Sequence, residues 1–477
     1  MIAGLVRWAG QGRSGLWLGL GLFAALVAMS WIGFIASDDA TYVQGAYGWI
    51  DAFPGFFVGA HGTIRTVLTV PMALSFKIFG ENSFAMVLPC LLYVLAFMVI
   101  VWRAVRDAAG EWSAALVLML LATSPLIVIQ SSIADVDVIE MCFLFASVLL
   151  FWRCLDQGPD PKRLLMAGAL AGCGFLARET AVFVAVFYAL FFVAGHRFHR
   201  KHYLWIALGF LGAWGLELLY LGLMTGDPLY RFHLSLHHDS SIDRTIDLAG
   251  NVIVNPLIDP VLVLLANQEF MALFFLAVPL GGWLCFGNTV SPRIRHFARV
   301  IGLFGIVWFV CVGAAQKLLP LNPRYFMNSC AAACILTGMA LAQIGWKRRS
   351  WLWPLAIFGI LASGNLLGIY VENKDSAFAE RTLATLAARY PDKVIHTDPA
   401  TRARADVPLY WVRALDRVVN SPPGPGMLFV YNPASVDTPN HWMTAAQQPV
   451  YLPQANWRTL ESFEPDAPYL ARAIEAT

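Results

Sequence analysis

The chain has 477 residues, 58% hydrophobic and only 13% charged, with a mean hydropathy of +0.61. Soluble domains carry about 25% charged residues, so this composition excludes an ordinary soluble protein and points to an α-helical polytopic membrane protein. The balance of 33 basic against 31 acidic residues leaves no basic footprint for a nucleic-acid partner.

Apolar runs long enough to cross about 30 Å of hydrocarbon fall at 15–36, 84–102, 113–130, 138–153, 163–177, 180–195, 203–224, 270–287, 300–316, 325–345 and 351–370, which predicts eleven spans. The first is too long for a signal-peptide core and lacks a cleavage site, so it reads as a retained span. The stretch 63–79 is different: Arg65 and Lys77 punctuate its ends and Pro71 interrupts it, which predicts an amphipathic juxtamembrane helix. With that assignment, Arg7 and Arg13, Arg103 and Arg106, Arg153, Lys162 and Arg163, Arg197, Arg200 and Lys201, Arg293, Arg295 and Arg299, and Lys347 to Arg349 all share one side. The positive-inside rule makes that side cytoplasmic. Residues 164–194 would overshoot the bilayer as one helix and read as two short spans. Gly168, Ala169, Ala171, Gly172 and Gly174 are suited to close helix packing. All eight cysteines lie in or beside apolar segments, so no disulfide framework is indicated.

The opposite, outer side receives a run of acids: Asp38, Asp39, Asp51, Asp135, Asp137, Glu140, Glu179, Asp227, Asp239, Asp243 and Asp247. Acids contribute little to insertion topology, so their gathering on one face suggests a site. Asp38 and Asp39 follow the first span directly. The turn at Arg178 and Glu179 admits two readings, a local ion pair that only ends the helices or a contribution to the site. The outer loop 225–269 concentrates Arg231, His233, His237, His238, Asp239 and Arg244. His233 and His237 share a helical face, but no third ligand follows in a zinc pattern, and substrate hydrogen bonding or a structural role is the better expectation. In LNPRYF, Pro323 suits a helix start and Arg324 can grip a phosphate with both arms of its fork. Glu217 is the clear acid inside a span and reads as a satisfied buried group. After Tyr370 the chain turns polar; KVIHTD and GMLFVY suggest strands and 377–389 a helix, which makes 371–477 a small extracytoplasmic α/β domain.

Taken together, SDDATY, KIFGENSF, ADVD, GFLARETA, DPLYRFHLSLHH and NPRYF, in this order and on one side, resemble the GT-C membrane glycosyltransferases. The protein O-mannosyltransferase and lipid A aminoarabinose transferase types are the nearest in pattern, over about residues 15–345. The resemblance implies a transmembrane catalytic domain over residues 1–370, a polyprenyl-phosphate sugar donor, and a lipid, glycan or protein acceptor at the outer face. In a bacterium it implies the inner membrane, with the N-terminus cytoplasmic and the C-terminal part periplasmic. It matches Asp38 to the acid at the reaction centre and Asp135 or Asp137 to the second-loop acid. Arg178 falls where relatives often have lysine, and Arg324 matches an arginine near the donor phosphate.

On these grounds Asp38, Asp39, Asp135 and Asp137 are the expected catalytic residues. Arg178, Arg324, Arg231 and Tyr325 are expected at the donor phosphate, and His61, Glu179, His237 and His238 at acceptor or sugar. Asp38 would take the acceptor proton in an inverting displacement, and no cofactor is expected, with a divalent cation on Asp38, Asp135 and Asp137 as the alternative. Two positions depart from the pattern: Asp39 stands where relatives commonly have glutamate, and Gly62 and Thr63 stand where they often have prolines. A glycan ligase or polymerase, or a lipid-linked sugar flippase, is the competing expectation. The flippase would place ionisable groups at mid-membrane.

Overall fold

The computed structural model describes residues 13–55, 59–195, 197–238, 255, 257–315, 319, 321–348, 352–433 and 457–463. Among these, six helices are long and apolar enough to cross a membrane, or seven if one bent pair counts as a single span. The six include α4 (Ser83–Ala109), α7 (Val136–Gln157), α14 (Pro292–Ala314) and α16 (Leu352–Glu372), with Arg200–Thr225 and Pro323–Gly345. The chain is therefore an integral membrane protein. The predicted span 113–130 is broken: α5 (Glu111–Thr123) and α6 (Pro125–Ser131) meet at 62°. Pro125 lacks the amide that would continue the helix, and it restarts the chain as a new first turn. Helices α1 (Ser14–Met29), α13 (Leu273–Phe286) and the segment Glu179–Ala194 are apolar but short. Six or seven of the eleven predicted spans thus correspond to helices of full length among the described residues and the others to shorter helices, because hydropathy registers an apolar run without registering where its backbone bends or stops.

Helix starts follow local chemistry. Asn82 caps α4 by accepting from the Ala85 amide at 2.9 Å. Asp160 caps α8 (Pro161–Ala177), accepting from the Lys162 and Arg163 amides ahead of Pro161 in the first turn. Helix α3 (Thr66–Phe79) has 14 residues, too few to span. It buries Leu68, Met72 and Phe76 while exposing Val70, Leu74 and Ile78, so both faces are apolar, one against protein and one outward.

The small residues of α8 bring it against α10 (Tyr203–Thr225) at backbone distance. A Cβ on Gly168 would lie 1.9 Å from the Ile206 carbonyl oxygen, and one on Gly209 would lie 2.0 Å from that of Leu165. No side chain fits between these helices. Connectivity then places the ends of α1, α8, α10 and α16 beside the starts of α4 and α7, where the acids gather. Basic pairs occupy the other end: Arg153 donates to Asp107 at 2.7 Å, and Arg293 to Asp156 at 2.9 Å.

After α16, helix α17 (Phe378–Arg389) precedes a parallel three-stranded sheet of β1 (Ile395–Thr397), β2 (Val418–Val419) and β3 (Leu428–Val430), ordered β2-β1-β3. Leu383, Leu386, Ile395, Leu409 and Val418 form its own small core. Of the loop 225–269, Asp239, Asp243, Arg244 and Asp247 lie outside the described residues, as does Arg7.

Candidate active site

Helix α2 (Asp38–Asp51) begins immediately after the first span, and its first turn holds Asp38 and Asp39. The two neighbours have opposite environments. Asp39 is fully buried and its carboxylate accepts three backbone amides, Ile35 at 2.6 Å, Ser37 at 2.7 Å and Ala40 at 3.0 Å. Burial raises its carboxyl to about 6, with the three amides pulling against that rise and Asp38 adding to it. Asp39 therefore ties the loop 35–40 together. Asp38 has 43% of its side chain exposed and accepts from Arg324 Nη2 at 3.2 Å.

Arg324 lies in a 3-10 turn, Pro323–Phe326, which Asn322 caps by accepting the Arg324 amide at 3.0 Å. Its Nε is 3.6 Å from Asp137 Oδ2, so one guanidinium bridges the acids of two separate turns. The other oxygen of Asp137 accepts a short hydrogen bond from Arg178 Nη1. Tyr325 joins the two cations: the Arg178 guanidinium sits 4.0 Å from its ring centre and that of Arg324 5.5 Å, both within cation–π reach. Trp308 fixes this residue by donating to the Tyr325 carbonyl at 2.7 Å. Asp38, Arg324, Asp137 and Arg178 thus form a line of alternating charge, built from four chain segments.

Asp135 caps α7, accepting the Asp137 amide at 3.0 Å through Oδ1. Its Oδ2 is buried with no hydrogen-bond partner among the described residues. Burial and the neighbouring Asp137 charge push its carboxyl well above the usual range. Glu140, one turn further on and fully buried, accepts from Thr180 Oγ1 at 2.7 Å.

A second charge cluster lies beside the first and has a different character. Arg231, 1% exposed, donates from Nε to both oxygens of Glu217 at 2.9 and 3.0 Å, and from Nη1 to Glu179 at 2.8 Å. Its Nη2 serves the carbonyls of Ile64 and Leu176 at 3.2 and 3.1 Å and makes a short bond to Glu217. Glu179 also accepts from Arg65 Nη1 at 2.8 Å and Ser235 Oγ at 3.0 Å, and His61 lies 3.8 Å away. Arg231, expected at the donor phosphate, directs these hydrogen bonds to protein groups, Glu217, Glu179 and two backbone carbonyls. It clamps helix α11 (Tyr230–His238) and the turn His61–Ile64 onto α8 and α10. Glu217 is the satisfied buried acid that its sequence position suggests. Arg178 and Glu179 do not pair with each other; adjacent in sequence, they serve different clusters. His61 and Glu179 belong to the clamp. The side chains of His237 and His238 lie outside the described residues.

Arg231→Ala would leave Glu217 buried without its cation, which typically costs about 3–5 kcal/mol. The expected outcome is a lowered midpoint of thermal unfolding in detergent, with donor KM of the folded fraction unchanged. A raised donor KM at unaltered stability would return Arg231 to the phosphate site. Sequence reasoning missed Arg65 as part of the clamp. Its place ahead of α3 reads as a helix-end charge, and only the fold brings Glu179 to it.

This arrangement is that of a polytopic helical membrane protein with a charged cluster at one set of helix ends. Residues 67–221 match the family model of dolichyl-phosphate-mannose-protein mannosyltransferases. The fold is similar to the crystal structure of ArnT from Cupriavidus metallidurans in the apo state, with 14% identity, 86% of this chain and 90% of that one covered, and a TM-score of 0.60. The same protein bound to undecaprenyl phosphate matches at 15% identity over 84% of this chain and 75% of that one, TM-score 0.53. The oligosaccharyltransferase of Archaeoglobus fulgidus in the apo form matches at 12% identity over 87% of this chain and 65% of that one, TM-score 0.51. No curated protein sequence matches the chain. The chain thus resembles the GT-C glycosyltransferases in fold and, over residues 67–221, in sequence.

Proposed function

We propose that this protein is a glycosyltransferase that moves a single sugar from a polyprenyl-phosphate donor to a hydroxyl of a lipid, polysaccharide or protein acceptor at the outer membrane face. The observation that carries this reading is the pairing of Asp38, the exposed acid of the site, with Arg324. A general base needs water and substrate access, and a leaving phosphate needs a fixed cation beside it. The undecaprenyl phosphate bound by the similarly folded ArnT supports the donor class.

In this mechanism Asp38 removes the acceptor hydroxyl proton as that oxygen bonds to the anomeric carbon. The carbon–oxygen bond to the lipid phosphate breaks, and the leaving phosphate carries the electron pair toward Arg324 and Arg178. One displacement inverts the anomeric centre, which NMR of the product linkage checks. Asp135, at the cap of α7 beside Asp137, is proposed to help orient the sugar. Asp137 holds Arg178 and Arg324 in position, and Asp39 holds the loop. The proposal needs no cofactor, because two guanidiniums supply the positive charge that a divalent cation would otherwise bring.

Sidedness supports the proposed localisation, the extracytoplasmic side of a bacterial inner membrane: the site lies at the helix ends opposite the basic pairs, as the positive-inside rule would have it. Eleven spans and a periplasmic α/β unit complete the proposed topology. The test is transfer of labelled sugar from purified polyprenyl-phosphate donors, with EDTA present. Mass spectrometry of lipid A, surface polysaccharide and exported proteins from cells with and without the gene identifies the acceptor. Loss of one sugar from one of these classes is expected; loss of a whole preassembled glycan would favour the ligase reading.

A further inference from the structure

The segment that follows α16 does more than cover the membrane part, because it reaches the loop that presents Asp38. That loop is unusual in its backbone. Gly33 has φ +77° and Ala36 has φ +58°, a left-handed conformation that L residues with a Cβ adopt rarely and at a cost. A strained turn of this kind persists only where its surroundings hold it. Its inner side is held by the Gly33 amide, which donates to the Ser132 carbonyl at 2.8 Å, and by the three amides that converge on Asp39.

Its outer side is held from the C-terminal part of the chain. Arg381 Nη1 donates to the Phe34 carbonyl at 3.2 Å. Arg404 Nη2 reaches the Ile35 carbonyl at 3.5 Å, as does Ser376 Oγ. Arg404 is itself fixed, donating to the Ser376 carbonyl at 2.7 Å and to Glu380 at 2.6 Å, while Arg381 pairs with Asp375. Apolar contacts close the joint. Phe34 is fully buried, with its ring 6.1 Å from that of Trp411, and Trp411 Nε1 donates to the Tyr47 hydroxyl at 3.0 Å, on the helix that Asp38 begins. Tyr410 packs its ring 4.7 Å from that of Tyr47.

The chain of contacts is therefore continuous. Arginines of the C-terminal part hold the carbonyls of residues 34 and 35; the amide of residue 35 is held by Asp39; and Asp39 is the immediate neighbour of Asp38. From this we infer that the C-terminal part is the outer half of a mould that sets the position of Asp38, with Arg381 and Arg404 as positioning residues. They touch no reacting atom. The inference rests on the reading of Asp38 as the general base. It gives the C-terminal part a role in the chemical step, distinct from that of a lid over the substrate opening.

The test compares Arg381→Ala, Arg381→Lys and the double variant Arg381→Ala/Arg404→Lys with the unaltered full-length protein in detergent. Arg404→Lys keeps a cation beside Glu380 and so spares the fold. Expected results are a kcat lowered about tenfold or more with donor and acceptor KM within twofold, and recovery to within threefold in Arg381→Lys, which keeps a donor for the Phe34 carbonyl. Hydrogen exchange over residues 31–41 is expected to accelerate in Arg381→Ala. Unchanged kcat in the double variant overturns the inference, and so does a raised KM at unchanged kcat, which is the signature of a lid. A variant that fails to fold is replaced by Arg381→Gln, for which unaltered exchange over 31–41 is equally fatal. Asp38→Asn is measured in parallel. If it retains normal turnover the base assignment itself fails, whereas an inactive Asp38→Asn beside an unaffected double variant defeats the positioning inference alone.

Discussion

Asp38→Asn is expected to lower kcat by about 10²–10⁴-fold, the usual span for loss of a positioned general base, with donor affinity nearly unchanged. The asymmetry between the acids of the site motivates this. Asp137 is only 4% exposed and both of its oxygens face guanidiniums, while Asp38 is 43% exposed with one oxygen on Arg324. Asp39 has its oxygens taken by backbone amides, and Asp135 is buried at a helix cap. Among these four acids, Asp38 combines a half-exposed carboxylate with a fixed cation beside it. Asparagine keeps the shape and the oxygen facing Arg324 but has no basic oxygen to take a proton. Single-turnover transfer separates the chemical step from binding, and near-normal turnover would remove Asp38 from the role. Because the substitution lies at a half-exposed position and keeps the shape of the side chain, thermal stability is expected to stay close to that of the unaltered protein.

Arg324→Ala is expected to cost about 10²–10³-fold in kcat, the scale on which removal of one preorganised transition-state donor is felt. Its guanidinium reaches Asp38 through Nη2 and Asp137 through Nε, so its plane is set by two acids from different turns. Arg324→Lys is expected to recover little, since a single ammonium cannot meet both acids and a phosphate from one place. The protein should still fold, because Asp137 retains Arg178. The decisive measurement is kcat with donors of differing leaving-group acidity. A loss that shrinks as the leaving phosphate becomes more acidic supports charge stabilisation at Arg324, and a constant loss points instead to a misplaced Asp38.

These two residues also show what kind of information a sequence holds. Asp38 was legible because the edge of a hydrophobic span is a one-dimensional feature, and a carboxylate at that edge falls beside the membrane surface whatever the rest of the chain does. Arg324 was legible for the same reason, as a cation at the start of a span. The sidedness of the acids followed from loop charge, and the close packing of α8 followed from its glycines, since both depend on neighbours in sequence. The helix starts at Asn82, Asp135 and Asp160 are equally local, because a cap bonds within its own first turn.

Partner choice was a different matter. Nothing in the order RET around residue 178 says that Arg178 turns to Asp137 while Glu179 turns to Arg65 and Arg231, because adjacent side chains leave a backbone in different directions and each meets whatever the fold brings near. The same limit hides the internal partners of Arg231, which reads in sequence as a substrate group and in the fold bridges Glu217 and Glu179. A buried arginine and an exposed one are identical letters, and burial depends on Glu217, 14 residues away in sequence. The break between α5 and α6 escaped hydropathy, which registers apolarity and not direction.

The sequence by itself therefore determined membrane insertion, the pooling of acids and arginines at one set of helix ends, and the resemblance to GT-C transferases, since each rests on hydropathy, charge or local caps. Only the tertiary structure decided which charges meet: Asp38 with Arg324, Asp137 with Arg178, Glu179 with the clamp, and the C-terminal arginines with the loop 34–35. Pairing energy depends on distance and burial, and both are properties of the packed chain.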